Sequence, residues 1–315
     1  MSDFIFSLNA VAPLFILMVA GCLAKQLRLV SKTFLTEANK FVFKFSLPLM
    51  LFRDIQANSF ENVLNSRLVY VALAGIFIII GLCCCIVPLL VKKKGQQGSI
   101  IQAIYRSNFI IYGVPLAMSM YGERALASIA LLLTVIIPVY NISAVLILSF
   151  FSDNRQEKLS LKKLFFDVLK NPLIIGCMAG LLCGLLHVHF PVFIDKPLSE
   201  LANIAAPLAL FTMGGEFKFK SLSSNLWKVL FSTIARLLLV PALAIGIFVY
   251  MGFREIELCA LICLFATPTA VVSFIMAENM GCDSELSAQI VVSTTLFSCV
   301  TIFFFVYILR VFGYL

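Results

Sequence analysis

The chain has 315 residues, 61% of them hydrophobic and only 13% charged, and a mean hydropathy of +1.03. Soluble domains are about 45 to 50% apolar and about 25% charged, so this composition excludes a soluble globular protein and describes an integral membrane one. The net charge of +8 is no sign of nucleic-acid binding, because in a membrane protein the placement of basic residues matters more than their sum.

Apolar segments of roughly 20 residues recur along the chain, each long enough to cross a ~30 Å hydrocarbon core as a helix. The short alternating pieces of a membrane β-barrel are not seen. Ten spans are expected, at roughly 4 to 24, 34 to 52, 67 to 91, 98 to 121, 125 to 151, 168 to 189, 197 to 217, 226 to 250, 255 to 280 and 284 to 309. The first has no Lys or Arg ahead of it, so it lacks the basic region of a cleavable signal peptide and is expected to be retained.

The second span carries Lys40 and Lys44 one turn apart, which read best as snorkelling side chains. The fourth, beginning "YRSNFIIYGVPLAMSMYG", contains Arg106 and Asn108 and then Gly113, Val114 and Pro115. Proline removes a backbone donor and clashes with the carbonyl four residues back, so an interruption is expected at Gly113-Val114-Pro115. Asn141 follows Pro138 in the fifth span. After it comes the longest polar stretch, "SDNRQEKLSLKK", which divides the chain into 1–151, a linker 152–165, and 166–315.

In the second half, Arg236 lies about ten residues into the eighth span, and the ninth contains "FATPTAVVSF" with Thr267, Pro268 and Thr269. A second interruption is expected there. Lipid offers no hydrogen bonds, so backbone groups freed at either break need protein, water or ligand. A cation at depth without a carboxylate partner marks a site by default. Arg106 could clamp a carboxylate bidentately; snorkelling or a pair with Glu278 is the rival, and for Arg236 the same two readings stand open. Asn108 and Asn141 either serve a ligand or join helices.

Loops after the odd-numbered spans hold fourteen Lys and Arg against six on the opposite side. The positive-inside rule then places both termini outside the cytoplasm, in a plasma (inner) membrane. A shift of 159 residues superposes Pro13-Leu14 on Pro172-Leu173, Ala20-Gly21 on Ala179-Gly180, "PLMLF" (48 to 52) on "PLALF" (207 to 211), and Gly122 on Gly281. Five spans per half force the second repeat to enter the membrane inverted, an architecture of secondary transporters.

The ten cysteines lie almost wholly in apolar segments without CxxC spacing, and no metal site is expected. His187 and His189 fall at an interface. No HExxH or GxSxG motif suggests an enzyme. No cofactor is expected. Acidic residues deep in the spans are not evident, while carbonyls and hydroxyls at Thr267, Thr269 and Ser273 could hold sodium; coupling to Na+ or H+ stays open.

"SNFIIYGVPLAMSMYGERAL" (107 to 126), "AAPLALFTMGGEF" (205 to 217), "ATPTAVVSFIMAENMGCDSELSAQIVVSTTL" (266 to 296) and, less specifically, "NPLIIGCMAGLL" (171 to 182) resemble the auxin efflux carrier family. That family includes the plant PIN carriers and bacterial carriers of malonate, malate and related acids. The resemblance implies ten helices in two inverted five-helix repeats, with crossing broken helices 4 and 9 like those of sodium/proton antiporters and bile-acid transporters. It further implies a scaffold of spans 1, 2, 6 and 7, a transport domain from the other six, and elevator-like motion. Asn108, Gly113 and Pro115 match its span 4 motif and Pro268 its span 9 motif. The long central loop of the plant carriers is missing, so a prokaryotic-type carrier is the better match. The expectation is a secondary carrier of small organic anions; a sodium-coupled symporter or a non-transporting receptor are the alternatives. Its partners would be the anion, the bilayer and, as an alternative to a monomer, a second copy in a homodimer.

Overall fold

The computed structural model describes residues 2–56, 66–153, 169–186, 188, 190–217 and 222–315. Most of the linker, His187 and His189 lie outside these residues. The described chain is helical throughout, without strands.

In the first half, α1 (Ser2–Gln26) precedes α2 (Lys32–Phe41) and α3 (Leu47–Gln56), which join through a π-turn at Val42–Ser46. Next come α4 (Arg67–Leu90), α5 (Lys94–Tyr105), a π-turn at Phe109–Gly113 leading into α6 (Val114–Tyr121), and α7 (Leu126–Phe150). The second half holds α8 (Pro172–Leu185), α9 (Val192–Asn203) and α10 (Ala205–Glu216). There α11 (Leu222–Ile234) joins α12 (Val240–Tyr250) through a π-turn at Ala235–Leu239, before α13 (Glu255–Phe265), α14 (Val272–Asn279) and α15 (Ser284–Val311). Among the described residues, four helical stretches are long and apolar enough to cross a membrane: Arg67–Leu90, Phe109–Phe150, Ser223–Tyr250 and Ser284–Val311; Ala12–Gln26 and Pro172–Leu185 are apolar but shorter. Large apolar side chains such as Leu89, Phe193, Leu243 and Val300 face outward, as a lipid-facing surface requires.

Each π-turn ends two residues before a proline, at Pro48, Pro115 and Pro241. A regular turn would drive the proline ring into the carbonyl four residues back. The wider turn pairs N–H and carbonyl five residues apart instead, in Leu47 to Val42, Val114 to Phe109 and Val240 to Ala235. The helix therefore absorbs Pro115, and the interruption expected at Gly113-Val114-Pro115 does not occur there. Gly113 has a packing role: a Cβ on it would lie 2.5 Å from the Phe109 ring and 3.0 Å from the Cys263 Cβ.

Small residues let the backbones of α1 and α10, and of α3 and α8, approach closely. A Cβ on Gly21 would strike the carbonyl of Phe211, and one on Gly180 would sit 2.6 Å from that of Phe52. The 159-residue shift exchanges these two contacts. It also relates Gly122 and Gly281, both left-handed at φ 61° and 72°, a conformation glycine adopts without Cβ strain. They turn the chain into α7 and α15. One buried core gathers α4, α5, α7, α12 and α13, and a second gathers α1, α3, α8, α10 and α14.

Candidate functional site

The first interruption lies at residues 106–108, seven residues before the expected one. Helix α5 ends at Tyr105, Arg106 is extended (φ −87°, ψ 107°), and the helix restarts at Phe109. The second falls where expected, around Pro268, between α13 and α14. The two segments pair antiparallel at Ser107 and Thr269. The Asn108 N–H donates to the Pro268 carbonyl (2.8 Å) and the Ala270 N–H to the Arg106 carbonyl (3.1 Å).

Helix ends leave carbonyls that must find donors when buried. At α5, Ala103 O accepts from Thr269 Oγ1 (2.7 Å), while Ile104 O and Tyr105 O accept from Arg236 Nη1 (3.0 and 3.4 Å). At α13, Cys263 O accepts from Thr267 Oγ1 (2.9 Å) and Leu264 O from Arg236 Nη2 (3.3 Å). Beyond that end, Thr267 O accepts from Arg236 Nε (2.9 Å) and Nη2 (2.7 Å). Arg236 is 0% exposed and rides on the π-turn before α12. Its bonds equal in number the five N–H donors of a guanidinium. All of them go to backbone, so Arg236 has no donor to spare for a ligand.

Arg106 differs. It is 4% exposed and donates to Asn141 Oδ1 (2.7 Å) and Met276 Sδ (2.6 Å), a weak acceptor. Among the described residues it bonds neither Glu278 nor any other carboxylate. Asn141 also donates to Ile137 O (2.8 Å), so it orients Arg106 with both ends of its amide committed. Asn108 is 6% exposed, and its Nδ2 is buried without a partner.

Seven of the expected residues thus gather at the paired segments: Arg106, Asn108, Asn141, Arg236, Thr267, Pro268 and Thr269. Gly113, Val114 and Pro115 stand further along the restarted helix. Three groups that sequence reasoning missed, Asn39, Ser46 and Tyr112, are buried nearby, together with Ser273, which it had named. Asn39 in α2 has neither amide atom bonded, Ser46 and Ser273 have idle hydroxyls, and the Tyr112 hydroxyl lies beside those of Thr295 and Ser298. Helix α2 packs on α14, which carries Ser273. Buried polar groups are ordinarily satisfied; Asn39, flanked by charged residues in "EANKF", gave no sign of burial.

A cavity of about 400 Å³ opens beside the end of α3, lined by Arg53, Asp54, Ile110, Leu133 and Asn203. Ile110, on its lining, is two residues past Asn108 in the chain. Arg53 is ion-paired bidentately with Asp195. Asp54 stands two residues past the expected end of the second span. Burial pushes its carboxyl up to about 6, more than neighbouring Arg53 lowers it.

The profile of a family described as membrane transport protein matches residues 6–306. An uncharacterized transporter of Methanocaldococcus jannaschii is 24% identical over 307 residues, covering 94% of this chain and 96% of that protein. A putative malonate transporter of Rhizobium meliloti is 21% identical over 276 residues, 86% of each chain. Auxin efflux carrier component 8 of Arabidopsis thaliana is 20% identical over 338 residues, 90% of this chain and 92% of that protein.

Proposed function

The chain belongs to the membrane transport protein family, and from that premise we propose that it is a secondary carrier of small organic anions, mono- or dicarboxylates of the malonate or malate kind. The family and the relatives are transporters, not enzymes. One observation carries the choice of an anion. Arg106 is buried beside the pairing of two non-helical segments with only an amide oxygen and a thioether for acceptors. A buried guanidinium without a carboxylate is costly, and a substrate carboxylate would supply the missing charge. Asn108 Nδ2 is an idle donor to complete the set, with the Tyr112 hydroxyl one turn further along the restarted helix. The malonate name of one relative favours the same substrate class.

In this reading ten spans form two inverted repeats, 1–151 and 166–315, and the segments at 106–108 and 266–271 are crossing breaks of spans 4 and 9. The exchanged glycine contacts and the paired left-handed glycines support the repeat. Spans 1, 2, 6 and 7 serve as scaffold, and the remainder moves against it in an elevator-like alternation. The cavity beside α3 provides access to the site, and both termini lie outside the cytoplasm.

A sodium-coupled symporter is less favoured because, apart from the idle Ser273 hydroxyl, the oxygens around Pro268 that would cage the ion already have partners. Thr267 O is held by Arg236, Pro268 O by Asn108 N–H, and Thr269 Oγ1 donates to Ala103 O. The test is counterflow in proteoliposomes loaded with malonate, malate, succinate or an aromatic acetate, following the labelled acid without an ion gradient. Saturable exchange for one acid is expected, unchanged when choline replaces sodium. Arg106→Ala and Asn108→Ala should weaken it about tenfold or more while folded yield persists. Wild-type exchange in both variants removes those residues from the site, and binding without exchange makes the protein a receptor.

A further inference from the structure

Helix α5 ends at Tyr105 and α13 at Phe265, and their carbonyl ends converge on one side chain. Each helix C-terminus carries the equivalent of roughly half a negative charge, so the two together approach about one. The Arg236 guanidinium carries one positive charge and places it on Ile104, Tyr105, Leu264 and Thr267 carbonyls through five hydrogen bonds. The opposing charges nearly cancel on that side of the crossing. On the other side the restarting helices, at Phe109 and Val272, present their positive ends, and no side chain caps either of them. There the Asn108 amide is buried without an acceptor, and the Ser273 hydroxyl is also idle.

This arrangement depends on a local irregularity. Pro241 obliges the helix to widen over Ala235–Leu239, and Arg236 is its second residue. The 159-residue shift places Phe77 at the corresponding position of the first half, an exposed residue of the uninterrupted helix α4. One arginine therefore serves both helix ends.

We propose that Arg236 is a positioning residue that sets the charge preference of the site from behind it. It permanently neutralises the α5 and α13 ends, as a bound sodium ion would do reversibly, so the net field at the Asn108 side favours an anion without a co-ion. The inference rests on the carrier reading and deepens it: affinity should rise with the negative charge of the substrate.

The full-length protein, purified in nanodiscs at neutral pH, is titrated calorimetrically with malonate, its mono-amide and its neutral diamide, in sodium and in potassium. The wild type should bind malonate most tightly and the diamide least, with the same affinities in both salts. Arg236→Gln should lose on the order of tenfold for malonate and little for the diamide, as expected for a unit charge acting across roughly 10 Å of partly polar protein. Arg236→Lys, which keeps the charge but cannot make five bonds, should keep the order despite a lower melting temperature. A glutamine variant with the wild-type ratio of malonate to diamide affinity overturns the inference. So does equal loss of all three ligands in both variants, a lysine variant without the order, or, with no variant needed, a wild type whose malonate affinity depends on sodium. A wild type that binds the acids with no charge order defeats the inference alone, whereas one that binds none of the three defeats the carrier reading beneath it.

Discussion

Pro115 and Pro268 stand in similar apolar surroundings and have opposite structural consequences. Around Pro115 the helix continues, because the widened turn Phe109–Gly113 gives the Phe109 carbonyl a donor in Val114 N–H. Around Pro268 it stops, and the Pro268 carbonyl accepts from Asn108 of the other segment. The first segment breaks where there is no proline at all, at residues 106–108. A proline frees backbone groups, and what then satisfies them decides whether the helix bends or ends. At 106–108 and 266–271 the partners come from across the molecule, chiefly from Arg236 and from the opposite segment.

The largest effect should follow from removing that tertiary partner. Arg236→Ala leaves four buried carbonyls without their donor, and a loss of several kcal/mol is expected. It should appear as a collapse of the monodisperse peak in size-exclusion chromatography; a normal peak and melting temperature would mean that water replaces the guanidinium. Gly113→Ala tests the continuous side of the comparison. Its Cβ meets Phe109 and Cys263, and overpacking of this kind costs about 1 to 3 kcal/mol, read as a drop in melting temperature.

A sharper contrast comes from the prolines themselves. Pro115→Ala should change stability by less than about 1 kcal/mol, since the chain there is already helical, and should leave exchange unaltered. Pro268→Ala keeps the carbonyl bond but releases a rigid residue from a non-helical segment, so exchange should slow several-fold at comparable stability. Equal effects of the two substitutions would erase the distinction between bend and break.

The smallest effect belongs to Asp54 at the cavity. Its carboxyl, near 6 rather than its usual 3.8, binds a proton more tightly in the folded state. Its contribution to stability is therefore fully present below about 3.8 and is lost as pH rises through about 6. Asp54→Asn should gain on the order of 1 kcal/mol at pH 7 for a carboxylate that keeps some solvent contact, and nothing at pH 3.5. A variant whose melting temperature follows the wild type at both pH values would show that Asp54 is not the group titrating.

Several features were legible because they depend on local chemistry or on a count along the chain. Membrane residence follows from apolar runs, the interruption at Pro268 from proline, and the turns at Gly122 and Gly281 from glycine in a left-handed conformation. Arg106, Asn108 and Thr269, which the fold brings to the two paired segments, stand out in the sequence because polar groups in apolar helices are conspicuous. Asn39 escapes a sequence reading because a polar residue among charged neighbours looks solvated until its helix is packed, and the sequence leaves Arg236 open between a ligand and a snorkelling side chain because its saturation by carbonyls depends on two helices distant in sequence.

The sequence by itself determined that the chain lives in a membrane, that Pro268 interrupts a helix, and that arginines stand in apolar segments near the interruptions. Only the tertiary structure decided where the first helix breaks, which arginine is spent on backbone, and which remains without a carboxylate. Hydrophobic transfer and proline stereochemistry are properties of a residue and its near neighbours, whereas the satisfaction of a buried hydrogen-bonding group depends on whichever segment the fold brings within about 3 Å.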